Sequence, residues 1–238
     1  MRRLALGAVL LIIACGGAAT LRAPSQSSPT PSTRPTPPID VTDMMGGFPP
    51  TTFFVVTPDS VKALALLNHA TKYTISIDRG GAQVAVAAAS QRVYVMDESS
   101  GGVRLRSFDV GTGVQRASYV IPQASLVSSE SAHATLTVDA STGDVFALVS
   151  RGAVRSIEQF RAIALEPVRQ VLGDLRCGDR IAAAAGRVVL ACMDEGGLVT
   201  AEPGGGGKFR ADGALVALAI LPDGTVMAAA RTPVCGAW

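Results

Sequence analysis

The chain has 238 residues, 48% hydrophobic against 17% charged, with a mean hydropathy of +0.34, which excludes a wholly disordered protein and allows a sizeable buried core. Aromatic residues make up only 5%, and the single Trp is Trp238, so stacked-base readers and aromatic carbohydrate clefts are poor starting points. The net charge of +2 does not mark an acidic partner. Residues 1–40 hold Arg2, Arg3, Arg22 and Arg34 against Asp40, leaving 17 of the 21 basic and 18 of the 19 acidic residues in 41–238. There the two signs are interspersed, without the basic face that phosphate binding draws on, and no nucleic-acid partner is expected.

Met1-Arg2-Arg3 gives a positive start, and Leu4 to Ala14 is an apolar run of eleven residues that ends at Cys15. Eleven helical residues cover about 16 Å, roughly half a hydrocarbon core, so the run reads as an export signal and not a spanning helix. Ile12-Ile13-Ala14-Cys15 resembles the lipobox of bacterial lipoproteins. That resemblance implies removal of 1–14, a diacylglyceryl group on the Cys15 thiol, and an exported protein held to a membrane by lipid outside the cytoplasm. The small Ala14 suits a peptidase at the scissile bond, and a thiol is the side chain that can carry a thioether-linked lipid. An ordinary secretory signal with a chance cysteine is the alternative.

Residues 15–50 follow as a tether. Eight of the fourteen prolines fall in 23–50, interleaved with Ser and Thr in APSQSSPTPSTRPTPP, a composition that stays extended because it cannot bury apolar surface.

From residue 51 to 238 short apolar runs alternate with Gly, Asp, Ser and Pro, with almost no helical periodicity, so the body is all-β. Five related runs begin at Phe53, Val93, Val145, Val188 and Val226, spaced by 40, 52, 43 and 38 residues. A period in the forties with several strands per repeat predicts a β-propeller of four-stranded antiparallel blades. The expected strands are 83–88, 93–97, 103–108 and 114–121; then 134–138, 145–149, 153–160 and 167–172; then 180–185, 188–192, 197–201 and 207–211; then 215–220 and 225–230. The run at 53–56 is a second strand whose blade lacks its first.

Val93-Tyr94-Val95, Gly102-Val103, Asp109-Val110-Gly111-Thr112-Gly113 and Ala217-Leu218-Ala219-Ile220-Leu221-Pro222-Asp223-Gly224 resemble blades of the YncE-like, NHL-like and quinoprotein-like propellers. The Trp-Asp pair of WD40 repeats is absent. Such a resemblance implies a seven-bladed ring, about 300 residues at this period, whereas 41–238 accommodates about four to four and a half blades. The expected form is an incomplete seven-bladed propeller. A closed four- or five-bladed ring and a ring shared by two chains are the alternatives. Open apolar edges at 53–56 and 225–230 would favour self-association.

Chemistry-bearing motifs are sparse. Pro203 to Lys208 lacks the leading Gly and the following Ser or Thr of a phosphate loop, with Glu202 before the glycines and Phe209 after the lysine, and reads as a flexible turn between third and fourth strands. Asp139 to Asp144 lacks the alternating acids and distal Glu of a calcium loop and reads as a hairpin turn. His69 and His133 are the only histidines, and Cys177, Cys192 and Cys235 show no metal-type spacing, so no metal or cofactor is assigned. No serine-nucleophile motif occurs. Asp97-Glu98 and Asp194-Glu195 are expected at turns, solvated. Arg104, Arg106, Arg151, Arg155, Arg161 and Arg169 are expected as water-facing charges on outer strands, with a patch for an anionic ligand as the alternative. If Ala184 pairs with Arg187, Cys192 lies opposite Asp179, diagonal to Cys177 and near the limit for a disulfide, with Cys235 unpaired.

The function expected from these readings is binding or scaffolding by a membrane-anchored, exported propeller, with an unidentified protein or small molecule as ligand. The resemblance leaves a quinoprotein-like or lactonase-like enzyme as the alternative, its site lying in blades beyond this chain.

Overall fold

The computed structural model describes residues 10–11 and 51–231, apart from 79–80, 128–133, 194–195, 203–204 and 211–212. The described residues contain strands and turns and no helix. β1 (Leu10–Leu11) precedes the body. The first blade is β2 (Thr52–Val56), β3 (Ser60–Ala65) and β4 (Thr71–Ser76). The second is β5 (Ala82–Ala87), β6 (Arg92–Ser99), β7 (Gly102–Asp109) and β8 (Gln115–Pro122). After β9 (Ser125–Leu126), the third is β10 (Leu136–Val138), β11 (Val145–Arg151), β12 (Val154–Phe160) and β13 (Pro167–Leu175). The fourth is β14 (Arg180–Ala184), β15 (Arg187–Cys192), β16 (Gly197–Glu202) and β17 (Gly205–Arg210). The fifth has β18 (Ala214–Ile220) and β19 (Val226–Arg231), with β1 parallel to β19.

Apart from β1, each blade is an antiparallel meander whose strands pair in chain order, and no strand passes from one blade's sheet to another's. Inner strands touch in sequence, β2 to β5, β5 to β10, β10 to β14 and β14 to β18. This is the all-β propeller architecture the repeat period predicts, with three complete four-stranded blades between a three-stranded blade and the β18–β19 pair. In the third blade the inner strand is split: β10 covers one half of β11 and β9 the other, Leu126 opposite Val149 and Ser125 opposite Ser150.

The hydrophobic core lies between neighbouring sheets. Side chains alternate sides along a strand, and a sheet covered on both faces must be apolar at every position of its middle strands. Val93, Tyr94, Val95 and Met96 are accordingly all fully buried. Val93 and Val95 pack with Val61, Ile75 and Ile77 of the first blade. Tyr94 and Met96 pack with Val145, Ala147 and Phe160 of the third. Phe146, Leu148 and Ile157 then meet Ile181, Val188 and Leu190, and Val189 and Ala191 meet Leu215, Val226 and Ala228. Outer β8 and β4 alternate exposed and buried positions instead.

Strand β6 runs on through Asp97 and Glu98 to Ser99, and β17 takes in Gly205 to Gly207, so both segments are strand where turn was expected.

Leu148 is fully buried between the third and fourth blades, so Leu148→Ala should cost about 2–5 kcal/mol. Denaturant unfolding with an unchanged m-value is the check.

Candidate binding face

In an up-and-down blade the turn between first and second strands and the turn between third and fourth strands fall on one face of the propeller. Four of these turns share one backbone design. In 65–70, 109–114, 139–144 and 161–166 the first residue's N–H donates to the sixth residue's carbonyl, and the fifth residue's N–H donates to the first residue's carbonyl, at 2.7–3.0 Å. The fifth residue is left-handed in each: His69 (φ 56), Gly113 (φ 71), Gly143 (φ 78) and Leu165 (φ 54). At Gly113 a side chain is also sterically excluded, because a Cβ would come within 2.6 Å of the Tyr73 ring.

Two of the four turns add an aspartate at the first position. Asp109 Oδ1 accepts the N–H of Gly111 and of Thr112, each at 3.0 Å, and the Thr112 hydroxyl at 3.1 Å. The backbone N–H of Thr112 and then its hydroxyl lower the Asp109 pKa most. Asp139 Oδ1 accepts the Ser141 N–H at 2.8 Å and hydroxyl at 2.6 Å, while its Oδ2 crosses to the fourth blade and accepts the Gly186 N–H at 2.6 Å. Burial raises the Asp139 pKa, but the Ser141 hydroxyl and the Gly186, Ser141 and Thr142 amides outweigh it and leave the carboxyl below its ordinary value.

Further cross-blade bonds fix the turns relative to one another. The Tyr73 hydroxyl donates to the Val110 carbonyl at 2.9 Å, and Tyr94 to the Ala162 carbonyl at 3.1 Å. Burial, with the Asp109 charge nearby, pushes the Tyr73 pKa up to about 12, so the phenol stays a donor. Arg187 Nη1 donates to the Gly224 carbonyl at 2.9 Å in the next blade's turn.

The opposite end of the blades carries ion pairs, and these correct the expectation of solvated charges. Asp97 is fully buried and held by Arg104, whose Nε lies 3.3 Å from Oδ1, and by Arg106 Nη2 at 3.2 Å from Oδ2. Arg104 Nη1 also reaches Asp78 at 3.1 Å, and Arg106 donates to the Ser76 carbonyl at 2.8 Å, bracing the first blade. Two acids and two guanidiniums balance, which allows Asp97 to be buried at all. Burial lowers the Arg106 pKa and Asp97 opposes it, whereas the Asp97 hydrogen bond raises that of Arg104. Glu98 accepts the Leu126 N–H at 3.2 Å. Arg151 pairs with Glu158 at 2.8 Å, and Arg155 pairs with Asp179 at 3.0 Å and caps the Gly178 carbonyl. Four of the six arginines are therefore fixed in ion pairs, because their acidic partners lie on adjacent strands or linkers. Arg161 is exposed, and exposed Arg169 donates to Gln159.

Asp179 also accepts the Met193 N–H at 3.1 Å. Beside it, with Ala184 opposite Arg187, the structure joins Cys177 to Cys192 in a disulfide, S–S 2.02 Å and Cα–Cα 5.4 Å. His69 sits at its turn with the Phe53 ring edge-on at 5.7 Å. Cys15, His133, Asp194, Glu195 and Cys235 lie outside the described residues.

An open depression of about 560 Å³ lies on this face between two turns of the third blade, lined by Thr142, Asp144, Arg161, Ala162, Ile163, Ala164 and Glu166. It offers the acids Asp144 and Glu166 and the base Arg161, with Ala162, Ile163 and Ala164 along its rim, suited to holding a polar ligand. Among the described residues no group of three or more His, Cys, Asp or Glu is placed to hold a metal ion. The turns at 109–114 and 139–144 were legible from their Asp, Thr and Gly residues, whereas the tyrosine hydroxyl bonds and the exposed tips at 66–67 and 163 were not.

No family model matches the sequence, and no curated protein matches it either. The structure is similar to the WD40 repeats of RRP9, with a TM-score of 0.57 and 10% identity over 71% of this chain and 51% of that one. It is similar to U3-55K, with a TM-score of 0.55 and 12% identity over 71% and 52%. It is also similar to hydrazine synthase of Kuenenia stuttgartiensis, with a TM-score of 0.55 and 12% identity over 79% and 56%. The chain thus spans about half the length of these structures, and at such identities the likeness shows the propeller fold.

Three outcomes are expected. Asp97→Ala leaves the buried Arg106 guanidinium without a carboxylate and Arg104 with Asp78 alone, and should cost about 3–5 kcal/mol in urea unfolding at neutral pH. Asp139→Asn should destabilise by about 1–3 kcal/mol at pH 7. Because the folded pKa of Asp139 is lowered, its contribution is complete above the ordinary value of 3.8 and is lost as pH falls through the folded value. Unfolding curves of the two proteins should therefore converge as pH falls below the folded value. Thiol titration of denatured Cys15→Ala protein should find one reactive thiol before reduction and three after.

Proposed function

We propose that the protein is an exported lipoprotein, anchored through lipid on Cys15, whose Pro/Ser/Thr-rich tether presents a propeller for binding or scaffolding at the membrane. The observation that carries the reading is the run Leu4 to Ala14 ending at Ile12-Ile13-Ala14-Cys15, followed at once by the tether. No helix among the described residues is long and apolar enough to cross a membrane.

Binding is supported by how the ionisable groups are used. Asp97, Asp179, Asp139, Arg104, Arg106 and Arg155 all hold blades or linkers together. What remains for a partner is a face of rigid turns with the third-blade depression in it, and loops on a rigid scaffold are where binding residues concentrate. The ligand class is a protein or a polar small molecule.

Growth with an alkyne-bearing fatty acid should label the protein, and Cys15→Ala should abolish the label. Mass spectrometry should find a mature chain that begins at a lipid-modified Cys15. An intact Met1, or a cleaved chain with an unmodified Cys15, refutes the anchor.

A further inference from the structure

The four matched turns differ in what they display. In 109–114 and 139–144 an aspartate caps the turn, and the tips are polar or small: Val110-Gly111-Thr112 and Ala140-Ser141-Thr142. In 65–70 and 161–166 the first residue is Ala65 or Arg161, and the tips are Leu66-Leu67-Asn68 and Ala162-Ile163-Ala164. The backbone bonds are the same, so the fold does not require apolar tips. Yet Leu67 is 99% exposed, Leu66 47% and Ile163 80%.

The two tips project from the same face of the propeller. β4 runs from the first tip toward Asp78, whose ion pair with Arg104 lies at the far end of β7, and β12 rises to the second tip as β7 rises to 109–114. Tyr73 ties the first blade to the turn at 109–114, and Tyr94 ties the second blade to Ala162 within the other apolar tip. A base stands beside each: exposed Lys72, donating to Thr52 Oγ1 at 2.7 Å, and exposed Arg161, which opens the second turn and has Glu166 at its close.

We propose that Leu66, Leu67 and Ile163 are membrane-contact tips that enter the interfacial layer of a bilayer, with Lys72 and Arg161 at headgroup level. Convex single side chains two blades apart suit a deformable lipid surface, into which apolar groups sink; Lys72 meets anionic headgroups at the first tip, while Arg161 at the second stands among the acids Asp144 and Glu166. Protein anchors instead fill closed, desolvated pockets. The inference rests on the anchored reading for bringing a membrane within reach: 36 residues, 16–51, in a polyproline-like form would span about 110 Å, which permits the face to lie on the surface that holds the lipid.

The test uses the full lipidated protein in a Cys235→Ser background, reconstituted into vesicles of phosphatidylglycerol and phosphatidylethanolamine that contain a spin-labelled lipid. An environment-sensitive fluorophore is placed at Leu67→Cys, Ile163→Cys or Gly101→Cys; Gly101 is exposed on the opposite face, in the turn between β6 and β7. Quenching at 67 and 163 at least about threefold above that at 101 supports the tips. Protein that floats with vesicles but shows equal, weak quenching at all three positions overturns the proposal and leaves the anchor standing. Protein that does not float at all removes both. Photocrosslinks from position 67 to an envelope protein in cells, with no quenching in vesicles, would replace the lipid surface by a protein and overturn the proposal. The double variant Leu67→Asp, Ile163→Asp should keep the thermal midpoint unchanged while losing contact with lipid, read as lost quenching of a label at Leu66→Cys; a lowered midpoint would assign the side chains to folding instead.

Discussion

Burial of each middle strand on both faces is the constraint on which the other features rest. A sheet with one wet face can alternate polar and apolar residues, but β6, β11 and β15 are walled by neighbouring blades on both sides. Their side chains must therefore be apolar or have their polarity neutralised in place. The first solution gives Val93 to Met96 and Val188 to Ala191. The second gives Asp97, which continues the same strand and is tolerated because Arg104 and Arg106 come from the adjacent β7. Both solutions fill the same kind of gap, and the choice between them follows depth along the blade.

Polar bonds divide between the two ends of the blades. Where linkers pass from one blade to the next, charged pairs do the tying, through Asp78, Asp97 and Asp179. Where the hairpin turns gather, two phenols, one carboxylate and one guanidinium do it by bonding to backbone groups: Tyr73, Tyr94, Asp139 and Arg187. Salt weakens exposed pairs and leaves buried ones little affected. The pair joining Arg104 to Asp78, with the acid side chain 55% exposed, is thus the more salt-sensitive part of a cluster whose centre is dry.

Much of the architecture was legible because blade repetition is written in strand and turn chemistry that needs no long-range knowledge. The all-β class, the blade boundaries and the hairpin register around Ala184 and Arg187 follow from period and turn residues alone. The fate of the charges was not legible. Asp97 reads as a turn residue because nothing local reveals that Ser76 and Asp78, some twenty residues earlier, build the wall beside it. Arg155 likewise meets Asp179 only after β13 has crossed the blade. The tips at Leu67 and Ile163 escaped notice for the opposite reason: an apolar residue in an apolar-rich chain looks like core until its exposure is known.

The turn design separates shape from content. Two backbone hydrogen bonds and one left-handed residue fix each six-residue turn, and the exposed side chains of Leu67 and Ile163 at the tips take no part in those bonds. Those positions can drift, or be rewritten by design, without disturbing the sheets beneath. A propeller built this way is a rack of interchangeable fingertips, on which new specificity can be tried at little risk to folding.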